Sequence, residues 1–516
     1  MRTSVEHPPA AGTDDLTRLR EDLQAAGYTV DHVEELLGPV AAGALHREQL
    51  LPARQVLADV DAPAAVLTRC WVLGEAVPEE QLAAALPGTG TEGLARAGLA
   101  APAPEAGPEH WQATCELRPY GDESHRWWLA SDFGEAVLRG PLPTDHVLGV
   151  GGASATLASW TPRPTVDRAL DLGTGCGVQA LHLTGHAGQV VATDISARAL
   201  GFARFNAGLN GVGLDLRRGS LLEPVAGEVF DLVVSNPPFV ITPRDPAVPR
   251  YEYRDGGQAG DAVVAGLVRG LPAHLRPGGT AQLLANWEVP AGETWRDRVS
   301  SWLDGTGLDA WVVQREEQDP AEYAETWARD GGHRPGTDEF DRLYAAWLAD
   351  FAARGVERIG FGVVTLHRPA TSRDPWRDLV EATGPVAHPM GPAVLAGIRA
   401  RGWLADHDDD ALLDTRWVVA TDVTEERFGR PGAVDPQVIR LRQGGGLGRT
   451  VRVDTVGAGL VGACDGELTA RQALAGIAVL TDRAVGEVTQ GALPLLRDLV
   501  ADGFLRPAAA DGESPW

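Results

Sequence analysis

Residues 166–194 read VDRALDLGTGCGVQALHLTGHAGQVVATD, and residues 230–240 read FDLVVSNPPFV. The first stretch opens with a short apolar run, Ala169–Leu172, followed by glycines at 173, 175 and 177 and then a helical pattern. A strand, a glycine turn and a helix predict a βα unit, whose helix start offers free N–H groups and a positive dipole end to an anion. By itself such a turn also suits a dinucleotide site, or a mere tight connection. Two features move the reading away from a dinucleotide. Asp171 stands at the strand end, where a carboxylate repels a pyrophosphate but can hold an α-ammonium, directly or through water. The spacing is G-x-G-x-G, and Val178 occupies the place of the last glycine in G-x-G-x-x-G. A second apolar run, GQVVATD, ends at Asp194, placed to accept hydrogen bonds from two ribose hydroxyls; that role serves either kind of cofactor.

Working outward, Phe230–Ser235 reads as a buried strand, stopped by Asn236-Pro237-Pro238-Phe239. Each proline fixes its φ near −65° and stiffens the loop. The Asn236 amide oxygen and the Pro237 carbonyl can accept both hydrogens of an –NH2 group, while Phe239 stacks on the planar system that carries it. An amide or aromatic amine is a poor nucleophile because its lone pair is delocalised. Two fixed acceptors draw that pair out of conjugation and aim it. An isolated Asn-Pro-Pro-Phe is more simply a proline-rich loop after a strand. Behind a glycine turn in an alternating αβ segment, the chemical reading is the better one.

Together these motifs resemble the class I S-adenosylmethionine (SAM) methyltransferases. With ARFNAGLNGV, holding Asn206 and Asn210, and RRGSLLEPV, the chain is similar to the HemK/PrmC glutamine methyltransferases and the RsmC-like rRNA guanine methyltransferases. RYEYRDGGQAGDAV looks like the glycine-rich segment that follows the motif in HemK-like enzymes. The resemblance implies SAM as cofactor, held by Asp171, Gly173, Thr174, Gly175, Gly177, Asp194, Ser220, Leu221 and Asn236. It implies methyl transfer at Asn236, Pro237, Pro238 and Phe239. Many relatives carry an aspartate for the adenine amine where this chain has Gly219-Ser220, so Ser220 is expected to be a weaker acceptor. The segment Leu148–Thr156 is expected either to pack over the cofactor or to be a plain linker.

The implied fold is a doubly wound, Rossmann-like α/β domain, supported by the strand–helix alternation over residues 161–290. Its candidate elements are Ala169–Leu172, Gly177–Thr184, Val190–Thr193, Ala197–Asn210, Leu214–Arg217, Leu232–Ser235, Ala262–Leu271 and Thr280–Ala285. Residues 1–12 read as disordered and 13–110 as a helical, winged-helix-like domain. Its wing strands are expected near Glu116–Arg118 and Trp127–Ala130. Residues 111–369 are assigned to the methyltransferase domain, with LDAWVVQREE and VERIGFGVVTLH as strands. A helical insertion at 319–355 between them reads as a lid or substrate wall, or as packing on the sheet edge. Residues 370–516 read as a mixed α+β module with winged-helix features, including a hairpin around GGGLG that carries Arg440, Arg442, Arg449 and Arg452.

At 516 residues the chain is long enough for about three domains. All 45 basic residues are arginine, and the net charge is −26, which argues against broad binding to nucleic acid. A macromolecular substrate is expected, protein rather than RNA or DNA. A glutamine side chain, as in a release factor, is the first reading. An adenine N6 or guanine N2 amine in rRNA, tRNA or DNA is the alternative. A non-catalytic SAM-binding regulator with a winged helix on DNA is a third reading. Acidic residues Glu75, Glu79, Glu80 and Glu92 in the recognition region make the N-terminal domain a better protein contact than a DNA reader. The four cysteines show no C-x-x-C spacing, so neither zinc nor a disulfide framework is expected, and His182 and His186 read as surface or packing residues. No apolar leader core or long apolar span is seen, and a cytoplasmic location without membrane contact is expected.

Overall fold

The computed structural model describes residues 7–138, 142–245, 248–432 and 434–508. The first six residues of the expected disordered segment, and residues 509–516 of the C-terminal module, lie outside the described residues. Residues 7–12 are described. There the Ala10 N–H donates to the Ala97 carbonyl at 3.0 Å. The chain divides into two compact units, one of residues 1–157, 165–306 and 316–363, the other of 158–164, 307–315 and 364–516. No helix among the described residues is long and apolar enough to cross a membrane.

The first unit is built on a sheet whose strands are β1 (Val166–Leu172), β2 (Ala187–Asp194), β3 (Asp215–Arg218), β4 (Phe230–Ser235), β5 (Leu275–Pro290) and β6 (Val356–His367). Their spatial order is β6-β5-β4-β1-β2-β3. β1 runs parallel to β2 and β4, β2 to β3, and β5 to β4. The connecting helices are α1 (Val178–Thr184), α2 (Ala197–Asn210) and α3 (Ala262–Gly270), so the sheet is doubly wound. β5 is far longer than the expected Thr280–Ala285. Its run LLANWEV is buried at every position, so no alternation marked where it would stop. α2 starts at the Ser196 cap and ends at Gly211, whose φ of 67° closes the helix in the left-handed region.

Before this sheet, helix Pro63–Trp71, strand Ala76–Pro78, helices Glu79–Ala85 and Gly90–Ala97, and strands Ala100–Pro102 and His110–Ala113 form a winged-helix arrangement. Its three strands are antiparallel, with His110–Ala113 in the middle. The wing therefore lies earlier than expected. Glu116–Gly121 and Arg126–Ser131 pair instead as a separate hairpin. That hairpin docks on α2 through two side chains one turn apart. Asn206 accepts from the Ala130 N–H at 2.8 Å and donates to the carbonyls of Ala130 and Cys176. Asn210 accepts from the Trp128 N–H at 3.0 Å and donates to the Trp128 carbonyl. Each amide thus stands in for a neighbouring strand. Fully buried Asn206→Ala leaves one N–H and two carbonyls unpaired, at about 1 kcal/mol or more each. We expect urea unfolding to show a loss of roughly 3 kcal/mol. His182 is buried rather than on the surface. Its Nε2 lies 2.7 Å from the Tyr120 hydroxyl and its Nδ1 3.2 Å from Asp122, tying α1 to the same hairpin.

In the second unit, helix Thr455–Gly462, strand Asp465–Thr469, helices Ala470–Leu480 and Val485–Ala501, and strand Leu505–Pro507 repeat the helix–strand–helix–helix–strand order of the N-terminal module. Strand Arg416–Val419 lies between the two strands and pairs antiparallel with both. The hairpin Val438–Gln443 and Thr450–Val453 is formed. Its arginines do not gather into one free basic face. Arg449 pairs with Asp502, Arg442 faces Glu426 at 3.7 Å, and Arg440 lies over the Phe428 ring. Ala310–Gln314 runs parallel to Arg377–Glu381.

Candidate active site

The carboxyl ends of β1, β2 and β4 open into one cleft of about 1230 Å³, part of it open to solvent. The parallel register places Leu172 beside Thr193 on one side and Ser235 on the other, so the residues that follow all emerge at the same edge. The Ser235 hydroxyl donates to the Leu172 carbonyl at 2.7 Å and locks β4 to β1 just before Asn236. Gly173, Gly175 and Gly177 have φ of 76°, 55° and 95°, a region costly for any other residue. The N–H groups of Gly173 and Thr174 both donate to the Thr193 carbonyl at 2.9 Å, which folds the turn back over β2.

Gly173, Thr174, Gly175, Asp194, Ser220, Leu221, Asn236 and Pro238 line the cleft. Asp194 accepts from the Gly175 N–H at 2.9 Å and from the Ser196 N–H at 2.8 Å, which fixes both carboxylate oxygens. Burial holds its pKa above the usual carboxylate value, against the pull of those two N–H groups. Leu221 adopts a φ of 44°, a strained setting for a leucine at the rim of the cleft. Gly177 does not line the cleft; it caps α1 and lies close to Ala203.

Asp171 sits one layer behind. It is fully buried, and its Oδ2 accepts from the Thr174 hydroxyl at 2.5 Å and from the Ala180 N–H at 2.9 Å. Its Oδ1 has no partner among the described residues. Burial pushes its pKa up to about 7, against the two hydrogen bonds. Asn236 repeats the pattern: its Oδ1 is buried and without a hydrogen-bond partner. The free acceptor behind the glycine turn fits an ammonium, and the one after β4 fits an N–H donor of a second molecule beside it. The residues therefore fit SAM. Asp171 would hold the amino-acid end, Asp194 the ribose, and Ser220 and Leu221 the base side.

Pro237 is buried and Phe239 half-buried, and neither lines the cleft. The Phe239 ring meets Trp327 edge-on, with centroids 6.3 Å apart, rather than standing open for a substrate. Trp327 belongs to the inserted helices α4 (Pro320–Asp330) and α5 (Asp338–Arg354). They pack on the loop after Asn236-Pro237-Pro238-Phe239. The Ile241 N–H donates to the Tyr323 hydroxyl at 2.9 Å, and the Trp347 indole donates to the Ile241 carbonyl at 2.8 Å. A hydrophobic cluster of Ile241, Tyr323, Phe340, Trp347 and Phe351 backs these bonds. The insertion thus forms a wall holding the loop.

Other cleft residues come from outside the two motifs, among them those of the segment Leu148–Thr156, expected either to pack over the cofactor or to be a plain linker. His146, Leu148, Gly149 and Ser154 come from the segment before β1, which lies over the cleft. It is fixed by Asp132, whose Oδ2 accepts from the Val147 N–H at 2.8 Å and which also pairs with Arg198 of α2. Both ring nitrogens of His146 are buried without a hydrogen-bond partner among the described residues, Nδ1 lying 3.9 Å from Asp132, and burial lowers its pKa. Glu252, Tyr253, Asp255 and Gln258 come from the glycine-rich segment, whose polar residues the motif reading did not single out.

Residues 149–302 match the methyltransferase small domain family. Residues 25–110 and 396–507 match two domains of unknown function, DUF7059 and DUF7782. The chain is 41% identical over 135 residues to a release factor glutamine methyltransferase of Xylella fastidiosa strain Temecula1, covering 24% of this chain and 48% of that protein. It is 32% identical over 137 residues to ribosomal RNA small subunit methyltransferase C of Alcanivorax borkumensis, covering 27% and 35%. Among solved structures, RsmC of T. thermophilus in complex with AdoMet and guanosine is 17% identical, with a TM-score of 0.27 over 48% of this chain and 63% of that one. The chain spans about half the length of the first of these relatives and about a third of the second. The central segment is a SAM-dependent methyltransferase domain of the kind found in N-methyltransferases of the HemK/PrmC and RsmC type.

Proposed function

We propose that the full chain methylates a planar amide nitrogen, the side-chain amide of a glutamine in a protein. The observation that carries this reading is the Asn236 Oδ1, a buried acceptor without a donor, in the cleft at the end of β4 and followed by two prolines. When bound, SAM supplies an electrophilic methyl group. The chain's own residues do the rest by positioning. Asn236 Oδ1 accepts one hydrogen of the target –NH2, while Pro237, buried outside the cleft, stiffens the loop that carries Asn236. This turns the nitrogen lone pair out of conjugation and toward the methyl carbon. The loop, clamped by Tyr323 and Trp347 of the inserted helices, fixes the orientation in advance.

The glutamine assignment is supported by the higher identity to the release factor enzyme and by the net charge of −26, which disfavours a polyphosphate backbone. The base-amine reading keeps one support, the similarity to ribosomal RNA small subunit methyltransferase C. The test is transfer of labelled methyl from SAM into the lysate of a strain lacking this protein, separated into protein and RNA. Label in a protein band that vanishes with Asn236→Ala supports the proposal. Label in RNA replaces glutamine by a base amine. Intact SAM binding with no label in either fraction rejects both and favours a regulator or a small-molecule acceptor.

A further inference from the structure

The nitrogen that accepts the methyl group becomes cationic and must lose a proton before product leaves. We propose that Asp255 is the catalytic base that takes it; this rests on the N-methyltransferase reading above. Asp255 lines the same cleft as Asn236. Its side chain is 3% exposed. Its Oδ1 accepts from the Gly257 N–H at 2.9 Å, while its Oδ2 is buried with no hydrogen-bond partner among the described residues. Asp255 is paired with Phe239 in an antiparallel bridge, and the Val240 N–H donates to the Arg254 carbonyl at 3.1 Å. The carboxylate is thus registered, through the backbone, against the Asn-Pro-Pro-Phe loop. Gly256 makes this close approach possible, because a Cβ there would meet Val263 at 2.3 Å and the Pro238 carbonyl at 3.1 Å.

The chemistry balances without another reactant. The C–N bond forms as the methyl–sulfur bond breaks. The N–H bond of the methylated nitrogen then breaks, its electron pair returns to nitrogen, and the proton forms an O–H bond with Asp255 Oδ2. The proton then passes to solvent beside exposed Glu252 and Gln258. The cation facing Asp255 is Arg244, 3.9 Å from Oδ1, long enough to leave Oδ2 free. Asp350 of α5 interacts with Arg244 in turn, and the titratable neighbours on its own segment are Tyr251, Glu252, Tyr253 and Arg254, the last paired with Asp330.

The test measures initial rates of labelled methyl transfer by the full chain, at saturating SAM, into whichever lysate fraction the wild type labels. Asp255→Asn keeps the shape and the bond to Gly257. We expect its rate to fall about 100-fold or more, with SAM affinity within threefold by calorimetry. Asp255→Glu should recover part of the rate. A rate within threefold of wild type, or a loss of SAM affinity that accounts for the fall, overturns the proposal. Full activity of Asn236→Ala would instead sink the underlying reading, and a wild type that labels neither fraction removes both.

Discussion

Asn236→Ala binds SAM within about threefold of wild type and transfers methyl at least 1000-fold more slowly. The wild-type Oδ1 waits unpaired in the cleft, so its removal costs the free protein little and leaves no buried donor stranded. Its work falls in the reacting state, where it holds the amide hydrogen while the nitrogen lone pair leaves conjugation. An interaction made only there appears in kcat rather than in cofactor affinity. Calorimetry with SAM beside single-turnover transfer separates the two. A variant that loses SAM binding in proportion to rate would make Asn236 a cofactor ligand instead. Asn236→Asp is the sharper comparison: it keeps an acceptor at the same place and should retain more transfer than alanine.

Asp171→Asn should do the opposite, stabilising the free protein while weakening SAM about 100-fold at pH 8. The sign follows from burial. In the folded protein the Asp171 pKa is pushed up to about 7, from 3.8 for an ordinary aspartate. A raised carboxyl pKa means that the folded state binds the proton more tightly than the unfolded one. The stability linked to that proton is fully present below about pH 4 and is lost as pH rises through 7. Asparagine is neutral throughout, so the variant escapes the loss, and its melting temperature without SAM should exceed that of wild type at pH 8. SAM binding runs the other way. An ammonium favours the ionised carboxylate, so wild-type affinity should climb between pH 5 and 7 and level off above. The variant should show no such climb, and loss of a charge-assisted contact of roughly 3 kcal/mol gives the 100-fold. A wild-type affinity independent of pH over this range would show that Asp171 does not meet the ammonium.

The catalytic half of this chain was legible because each of its signals is local. Strand, glycine turn and helix follow from Ala169–Thr184 without reference to the rest of the molecule. The proline pair stops β4 wherever β4 lies. Asp171, Asp194 and Asn236 were recognisable as strand ends, and strand ends of a parallel sheet converge by topology alone. The winged arrangement near the N-terminus was visible in its helices, but its wing was placed one hairpin too late. Ala100–Pro102 is too short and too bland to announce a strand, whereas WWLA does so loudly.

What the sequence by itself determined, then, is the fold class, the cofactor and the motif at the end of β4, all written in runs of adjacent residues. Only the tertiary structure decided that Asp171 stands behind the glycine turn with one oxygen free and that Phe239 faces Trp327. It also decided that His146 and Asp255 share the cleft with Asn236. These depend on which distant segments meet, and on which polar atoms are left unpaired when they do. A polar residue in a loop looks the same in sequence whether it ends in water or buried without a partner. The cost of burying it exists only once the chain has closed around it.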